Sequence, residues 1–175
     1  MLKLEASALS DPGRKRSDNQ DHVWEHVSQP SAGDSVGLFI VCDGVGGHQG
    51  GDFASQWAIE AIKSDLENLF SPGDSYQNVL LSKEEQERSR AGEEVTRVSE
   101  IRKLEMIVRL AVQHASQVVH ESTQQNPSLA DDAGTTITMA LVLGGRAVIA
   151  NVGDSRTYLL RDGRIRQITQ DHSLV

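Results

Sequence analysis

The stretch Leu38-Phe39-Ile40-Val41-Cys42-Asp43, running straight into Gly44-Val45-Gly46-Gly47-His48-Gln49-Gly50-Gly51, decides how this chain is read. An apolar run of a length suited to one buried strand ends on a carboxylate and enters a loop too tight for side chains. That arrangement sets a hard oxygen ligand where a cation and a phosphate can both approach. A second Asp has a similar setting in Asn151-Val152-Gly153-Asp154-Ser155-Arg156, and a third, Asp21, closes the segment Arg16-Ser17-Asp18-Asn19-Gln20-Asp21.

Around this stretch the hydrophobic period changes twice. Upstream, residues 1–10 are expected to form a first strand, Ser10-Asp11-Pro12-Gly13 a tight turn, and His22 to Val27 a second strand, before the buried strand Val36 to Cys42. Downstream, Phe53, Trp57, Ile59, Ala61, Ile62, Leu66 and Leu69 mostly follow helical spacing, so a helix is expected from Asp52 to Phe70 with Asp52 as its N-cap. Residues 71–99, with Lys83-Glu84-Glu85-Gln86-Glu87-Arg88 among them, hold too little apolar content to specify packing and are expected to be a mobile or loosely helical insertion. Leu104, Ile107, Val108, Ala111, Ala115, Val118 and Val119 then mark one face of a helix from Glu100 to Gln124, stopped by Asn126-Pro127. The remainder is strand: Thr135 to Leu143, Arg146 to Val152, Thr157 to Arg161 and Arg164 to Thr169, with Gly144-Gly145 and Asp162-Gly163 as hairpin turns.

At 175 residues one domain suffices, large enough to bury a core without disulfides. The 17 basic and 25 acidic residues, net −8, disfavour nucleic acid and anionic membrane as partners and favour a cation. Met1-Leu2-Lys3-Leu4-Glu5-Ala6 lacks the apolar region of a secretory signal, and no run approaches the roughly 20 apolar residues that cross a bilayer, so a cytoplasmic protein is expected. The single Cys42, inside the apolar run, is expected to be a small buried hydrophobe rather than a reactive thiol.

Several features have plainer explanations. Asp43 could cap the following turn, and spacing alone does not bring Asp21, Asp43 and Asp154 together. The glycine loop is not a dinucleotide fingerprint: counted from Gly44, the last required glycine falls on Gln49, and no Gly-Lys-Ser/Thr ending follows. His22 and His26 share a strand face but stand about 13 Å apart at the usual rise, too far to chelate one ion. His48 is the histidine beside the proposed site. Arg16 could be a solvated charge, yet beside several carboxylates holding metal a guanidinium is the natural fork for phosphate oxygens.

Taken together, three blocks resemble the metal-dependent protein serine/threonine phosphatases of the 2C type, the PPM superfamily, in their bacterial form. They are Ser10-Asp11-Pro12-Gly13-x-x-Arg16-x-x-Asn19-Gln20-Asp21, then Phe39-Ile40-Val41-Cys42-Asp43-Gly44-Val45-Gly46-Gly47-His48, and Gly134-Thr135-Thr136 leading to Asn151-Val152-Gly153-Asp154-Ser155-Arg156. Thr169-Gln170-Asp171-His172-Ser173-Leu174-Val175 matches as well. The resemblance implies an α+β fold, a four-layer αββα sandwich in which an antiparallel β-sandwich is flanked by helix pairs. It implies hydrolysis of phosphoserine or phosphothreonine in proteins, opposing a serine/threonine kinase, with two or three Mn²⁺ or Mg²⁺ ions. Asp43 would bridge two ions, the Gly44 carbonyl would bind one, Asp21 would hold metal-bound water, Asp154 would serve a third site, and Arg16 would bind the substrate phosphate. A water between the metals would attack phosphorus in line, with no phosphoenzyme. A monomer is expected.

Some members carry Glu where Gln20 stands and His where Val45 stands, so a direct ligand and a general acid are not carried over to those positions. The resemblance also implies a longer family domain whose later blocks supply two further aspartates, so residues 1–175 are expected to be the N-terminal part of that domain, incomplete at the C-terminus. The competing expectation is a non-catalytic regulatory module that keeps Arg16 and Asp43 and binds phosphoprotein or metal.

Overall fold

The computed structural model describes residues 3–15, 18–28, 35–47, 49–70, 97–130 and 132–172. Its elements are β1 (Asp21–Ser28), β2 (Val36–Val45), α1 (Gly50–Leu66) with a 3₁₀ turn (Glu67–Phe70), α2 (Arg97–Gln125), a short α3 (Pro127–Ala130), β3 (Gly134–Thr135), β4 (Ile137–Leu143), β5 (Arg146–Val152), β6 (Tyr158–Arg161) and β7 (Arg164–Gln167). One antiparallel sheet runs β1-β2-β4-β5, with β3 paired to the end of β2, and β6-β7 form a separate ribbon. The α+β class and the antiparallel strands match expectation. Of the four layers implied by the resemblance, the described residues form one helix pair and one sheet, with β6-β7 as a separate two-stranded ribbon.

β2 is the central strand. Register sets Trp24, Ile40, Met139 and Ala150 in one row across the sheet, and His26, Leu38, Leu141 and Val148 in the next. The even-numbered side chains Leu38, Ile40 and Cys42 are buried beneath α1 and α2, whose inward faces carry Ala54, Ala58, Ile62, Leu66, Leu104, Val108, Ala111 and Ala115. Alanines alternate with larger residues on both helix faces, which lets the helices approach each other and the sheet closely. On the reverse face Val41 is 42% exposed, and Leu4 lies against Gly37, where an added Cβ would sit 2.3 Å from Leu4 Cδ2.

Several boundaries differ from the sequence reading, the first four for a physical reason. Residues 3–10 are not a strand, because a strand is defined by ladder partners and these residues have none among the described ones. Asp43 does not end its strand: β2 continues through Val45 because Asp43 pairs with Asp21 on one side while Gly44 pairs with Thr135 on the other. Helix α1 starts at Gly50 rather than after an Asp52 cap. Gln49 is the N-cap and makes no side-chain cap bond, and Asp52 sits in the first turn, where it complements the helix dipole. The expected strand Thr135 to Leu143 is interrupted at Thr136: its N–H donates to Asp43 O (2.9 Å), but the Asp43 N–H is taken by the Thr136 hydroxyl (3.0 Å) rather than by its carbonyl. The second helix runs three residues longer upstream than expected and one longer downstream, and the rest of the expected insertion, 71–96, lies outside the described residues.

The early start of α1 follows from one close contact. A Cβ on Gly44 would lie 2.0 Å from Gly51 O, and a Cβ on Gly51 would lie 2.7 Å from Gly44 C, so neither position admits a side chain. An exposed helical Gly→Ala change normally stabilises by about 1 kcal/mol. Gly51→Ala is expected to do the opposite, costing about 2–3 kcal/mol through overpacking against backbone. Urea unfolding of the variant checks this, and a stabilised protein would contradict the contact.

Candidate active site

Antiparallel register brings two of the sequence-proposed carboxylates together. Asp21 and Asp43 stand directly opposite one another, and directly opposed residues share a face of the sheet. The turn that delivers Asp21 is held by its own side chains: Asn19 Oδ1 accepts the Asp21 N–H (3.1 Å) while Asn19 Nδ2 donates to Ser10 Oγ (2.6 Å). Behind it, the buried Ser55 hydroxyl on α1 reaches Gln20 O at 2.7 Å and His22 Nδ1 at 2.9 Å, pinning residues 20–22 to the helix. Gly44 N–H donates to Gln20 O (3.1 Å), closing the same corner.

Asp154 arrives from the other side of the sheet on the turn after β5. Gly153 has φ +97°, and a Cβ there would meet Thr136 Cγ2 at 2.7 Å, so the turn depends on glycine for both space and conformation. His172 N–H and Asn151 Nδ2 both donate to Gly153 O, at 2.9 and 3.0 Å. Arg156 grips Asp171 through Nε (3.0 and 3.1 Å) and Nη2. Hydrogen bonding to the guanidinium holds the Asp171 carboxyl below the usual aspartate range. With its folded-state pKa lowered, that contribution is present above the ordinary aspartate pKa and is lost as pH falls through the lowered one.

These elements enclose an open cleft of about 820 Å³ lined by Lys15, Asp18, Asp43, Gly44, Thr136 and Asp154, among others. Asp43 and Asp154, which lie far apart in sequence, therefore face one cleft, and Asp21 stands beside Asp43 across the ladder. The donors are carboxylates with a nearby backbone carbonyl, a hard-oxygen set that suits Mg²⁺ or Mn²⁺, ions that keep part of their water shell. Among the described residues, no three His, Cys, Asp or Glu groups draw close enough to close around one ion. The set fits a partly hydrated divalent ion rather than a closed protein cage. Arg16 and His48 lie outside the described residues.

Two cleft residues, Lys15 and Asp18, carried no proposed role in the sequence reading. Lys15 was one of three consecutive cations, Arg14-Lys15-Arg16, and nothing in a charge run says which member turns inward. Of the other histidines, His26 packs on Trp24 and Phe70, and His114 Nδ1 lies 2.8 Å from Asp65 Oδ2.

A family model for protein phosphatase 2C matches residues 4–174. The chain belongs to the protein phosphatase 2C family. It is 31% identical over 174 residues to the serine/threonine phosphatase stp of Listeria welshimeri, covering 98% of this chain and 56% of that protein. It is 32% identical to the serine/threonine protein phosphatase PstP of Mycobacterium tuberculosis, covering 99% of this chain and 26% of that one. Among solved structures it resembles the catalytic domain of PstP in complex with two manganese ions, with a TM-score of 0.63 at 32% identity, covering 96% of this chain and 56% of that one. The S. agalactiae serine/threonine phosphatase gives 0.64 at 28%, with 95% and 55% covered. The chain spans about half the length of the Listeria relative.

In this member the strand that carries Asp43 also carries the buried Cys42. Burial pushes its thiol up to about 12, with a hydrogen bond from Thr135 opposing the shift. At pH 8 only about 10⁻⁴ of it would be thiolate. Iodoacetamide at pH 8 is therefore expected to leave the folded protein unlabelled and to label it fully in denaturant; rapid labelling of the folded chain would contradict the burial.

Proposed function

We propose that this chain forms part of a protein phosphatase that hydrolyses phosphoserine or phosphothreonine in proteins, opposing a serine/threonine kinase. The observation that carries the reading is the convergence of Asp43 and Asp154 on one cleft, with Asp21 opposite Asp43 and a cation, Lys15, on the same wall. Asp43, Asp21, Asp154 and the Gly44 carbonyl are the groups that would hold two or three Mn²⁺ or Mg²⁺ ions. Bound there, the ions would supply Lewis-acid charge for the phosphate oxygens and lower the pKa of water.

The chain's own residues do the rest. Asp43 lies in a strand paired on both sides, so its backbone is fixed by the ladder rather than by loop contacts. A phosphate dianion approaching this group of carboxylates would be repelled, and Arg16 is assigned to bind it with a bidentate fork while Lys15 adds a point charge. Val45 lines the cleft and is 61% exposed, giving the substrate backbone an apolar surface beside the phosphate.

The competing reading is a non-catalytic phosphoprotein- or metal-binding module that keeps Arg16 and Asp43. Turnover separates the two. Hydrolysis of a phosphothreonine peptide by the chain is expected with Mn²⁺ and not with chelator. Asp43→Asn is expected to lower it by about 10²–10³-fold, and unchanged activity would remove Asp43 from the site. Arg16→Ala should raise KM by roughly tenfold or more with a smaller fall in kcat; the reverse split would contradict phosphate binding. A folded chain that binds Mn²⁺ without turnover would favour the module.

A further inference from the structure

We infer that the hydroxyls of Thr136 and Ser155 form a latch that makes Asp43 and Asp154 act as one cation-binding unit, an inference that rests on reading those carboxylates as cation ligands. Thr136 occupies the break between β3 and β4, and both its N–H and its hydroxyl are used on the two aspartate-bearing segments. Its Oγ1 accepts the Asp43 N–H at 3.0 Å and its N–H donates to Asp43 O at 2.9 Å. The same Oγ1 lies 2.8 Å from Ser155 Oγ, and either hydroxyl can donate to the other. Its methyl packs on Gly153, where a Cβ would come within 2.7 Å of Cγ2. Thr136 therefore touches both neighbours of Asp154 as well as the backbone of Asp43.

The other anchors of the Asp154 turn serve a different purpose. Asn151, His172 and the Arg156–Asp171 pair bind the turn to residues 151 and 170–172. Thr136 binds it to the strand that carries Asp43. Two carboxylates facing one cleft repel each other until a cation arrives, and an untethered glycine turn would relax by swinging Asp154 outward. A chain of hydrogen bonds from Asp43 N–H through Thr136 to Ser155 opposes that relaxation, and its members polarise one another. The latch thus holds the pair in place before the ion binds. Thr136 and Ser155 are positioning residues: neither needs to touch the ion.

The test is Mn²⁺ titration of the chain, read from the electron paramagnetic resonance signal of the free aqueous ion. The set comprises the unaltered chain, Thr136→Val, Thr136→Ser, Ser155→Ala, Thr136→Val/Ser155→Ala, and Asp43→Asn as control, with metal-free unfolding midpoints alongside. Thr136→Val keeps the shape and removes the hydroxyl, so Mn²⁺ affinity should fall about tenfold. Ser155→Ala should do the same, and the double variant should be no weaker than either single one, because the two hydroxyls act as a unit. Thr136→Ser should restore affinity to near that of the unaltered chain. If Thr136→Val fails to fold, Ser155→Ala alone decides. Unaltered affinity in Thr136→Val or Ser155→Ala, with loss in Asp43→Asn, would overturn the latch and leave the cation site standing. A lowered unfolding midpoint at unchanged Mn²⁺ affinity, or additive losses in the double variant, would also overturn it. Equal titrations for the unaltered chain and Asp43→Asn would overturn the cation reading and the latch with it.

Discussion

The backbones of β2 and the first turn of α1 meet at Gly44 and Gly51 with no space for a Cβ on either. Everything at the cleft depends on that crossing. It brings the start of α1 over the end of β2, so Ser55, one turn further along the helix, can reach Gln20 O and His22 and fix the approach to β1. With residues 20–22 fixed, the β1-β2 register places Asp21 opposite Asp43. A slip of one residue would turn one carboxylate into the core and expose the buried face of the strand. The core defends that register through Leu38, Ile40 and Cys42, all fully buried on the alternate face.

The cleft is assembled against local preference. Like charges placed directly opposite in a ladder cost stability, and Asp43 is joined at the cleft by Asp18 and Asp154. The fold holds these groups near one another with rigid, non-titrating parts: a strand paired on both sides, glycines too crowded to accept a side chain, and hydroxyls bonded to backbone. The resulting excess of negative charge is what a divalent cation would neutralise.

Much of this was legible in the sequence, and the reasons are specific. Leu38 to Cys42 had to be a buried strand because its length and apolar content left little else, and Leu104 to Val119 showed one helical face. Asp43, Asp154 and Asp21 stood out because each closes or follows a short motif, and the structure sets Asp43 and Asp154 on one cleft with Asp21 opposite Asp43. What escaped notice was set by tertiary contact. Nothing local says that Asp52 loses the cap to Gln49, since that follows from the Gly44–Gly51 contact. Nothing local says that the Thr136 hydroxyl takes the Asp43 N–H and pairs with Ser155, since these partners are 93 residues upstream and 19 downstream. Lys15 differs from Arg14 only by which way the turn faces it.

The most direct measurement is anomalous X-ray scattering at the manganese edge from crystals of the chain grown or soaked with Mn²⁺. Peaks beside the Asp43 carboxylate, within coordination distance of Asp21 or Asp154, are the expected result. A protein that takes up manganese elsewhere, for instance at the His114–Asp65 pair, while the cleft around Asp43 carries no anomalous density, would contradict the site.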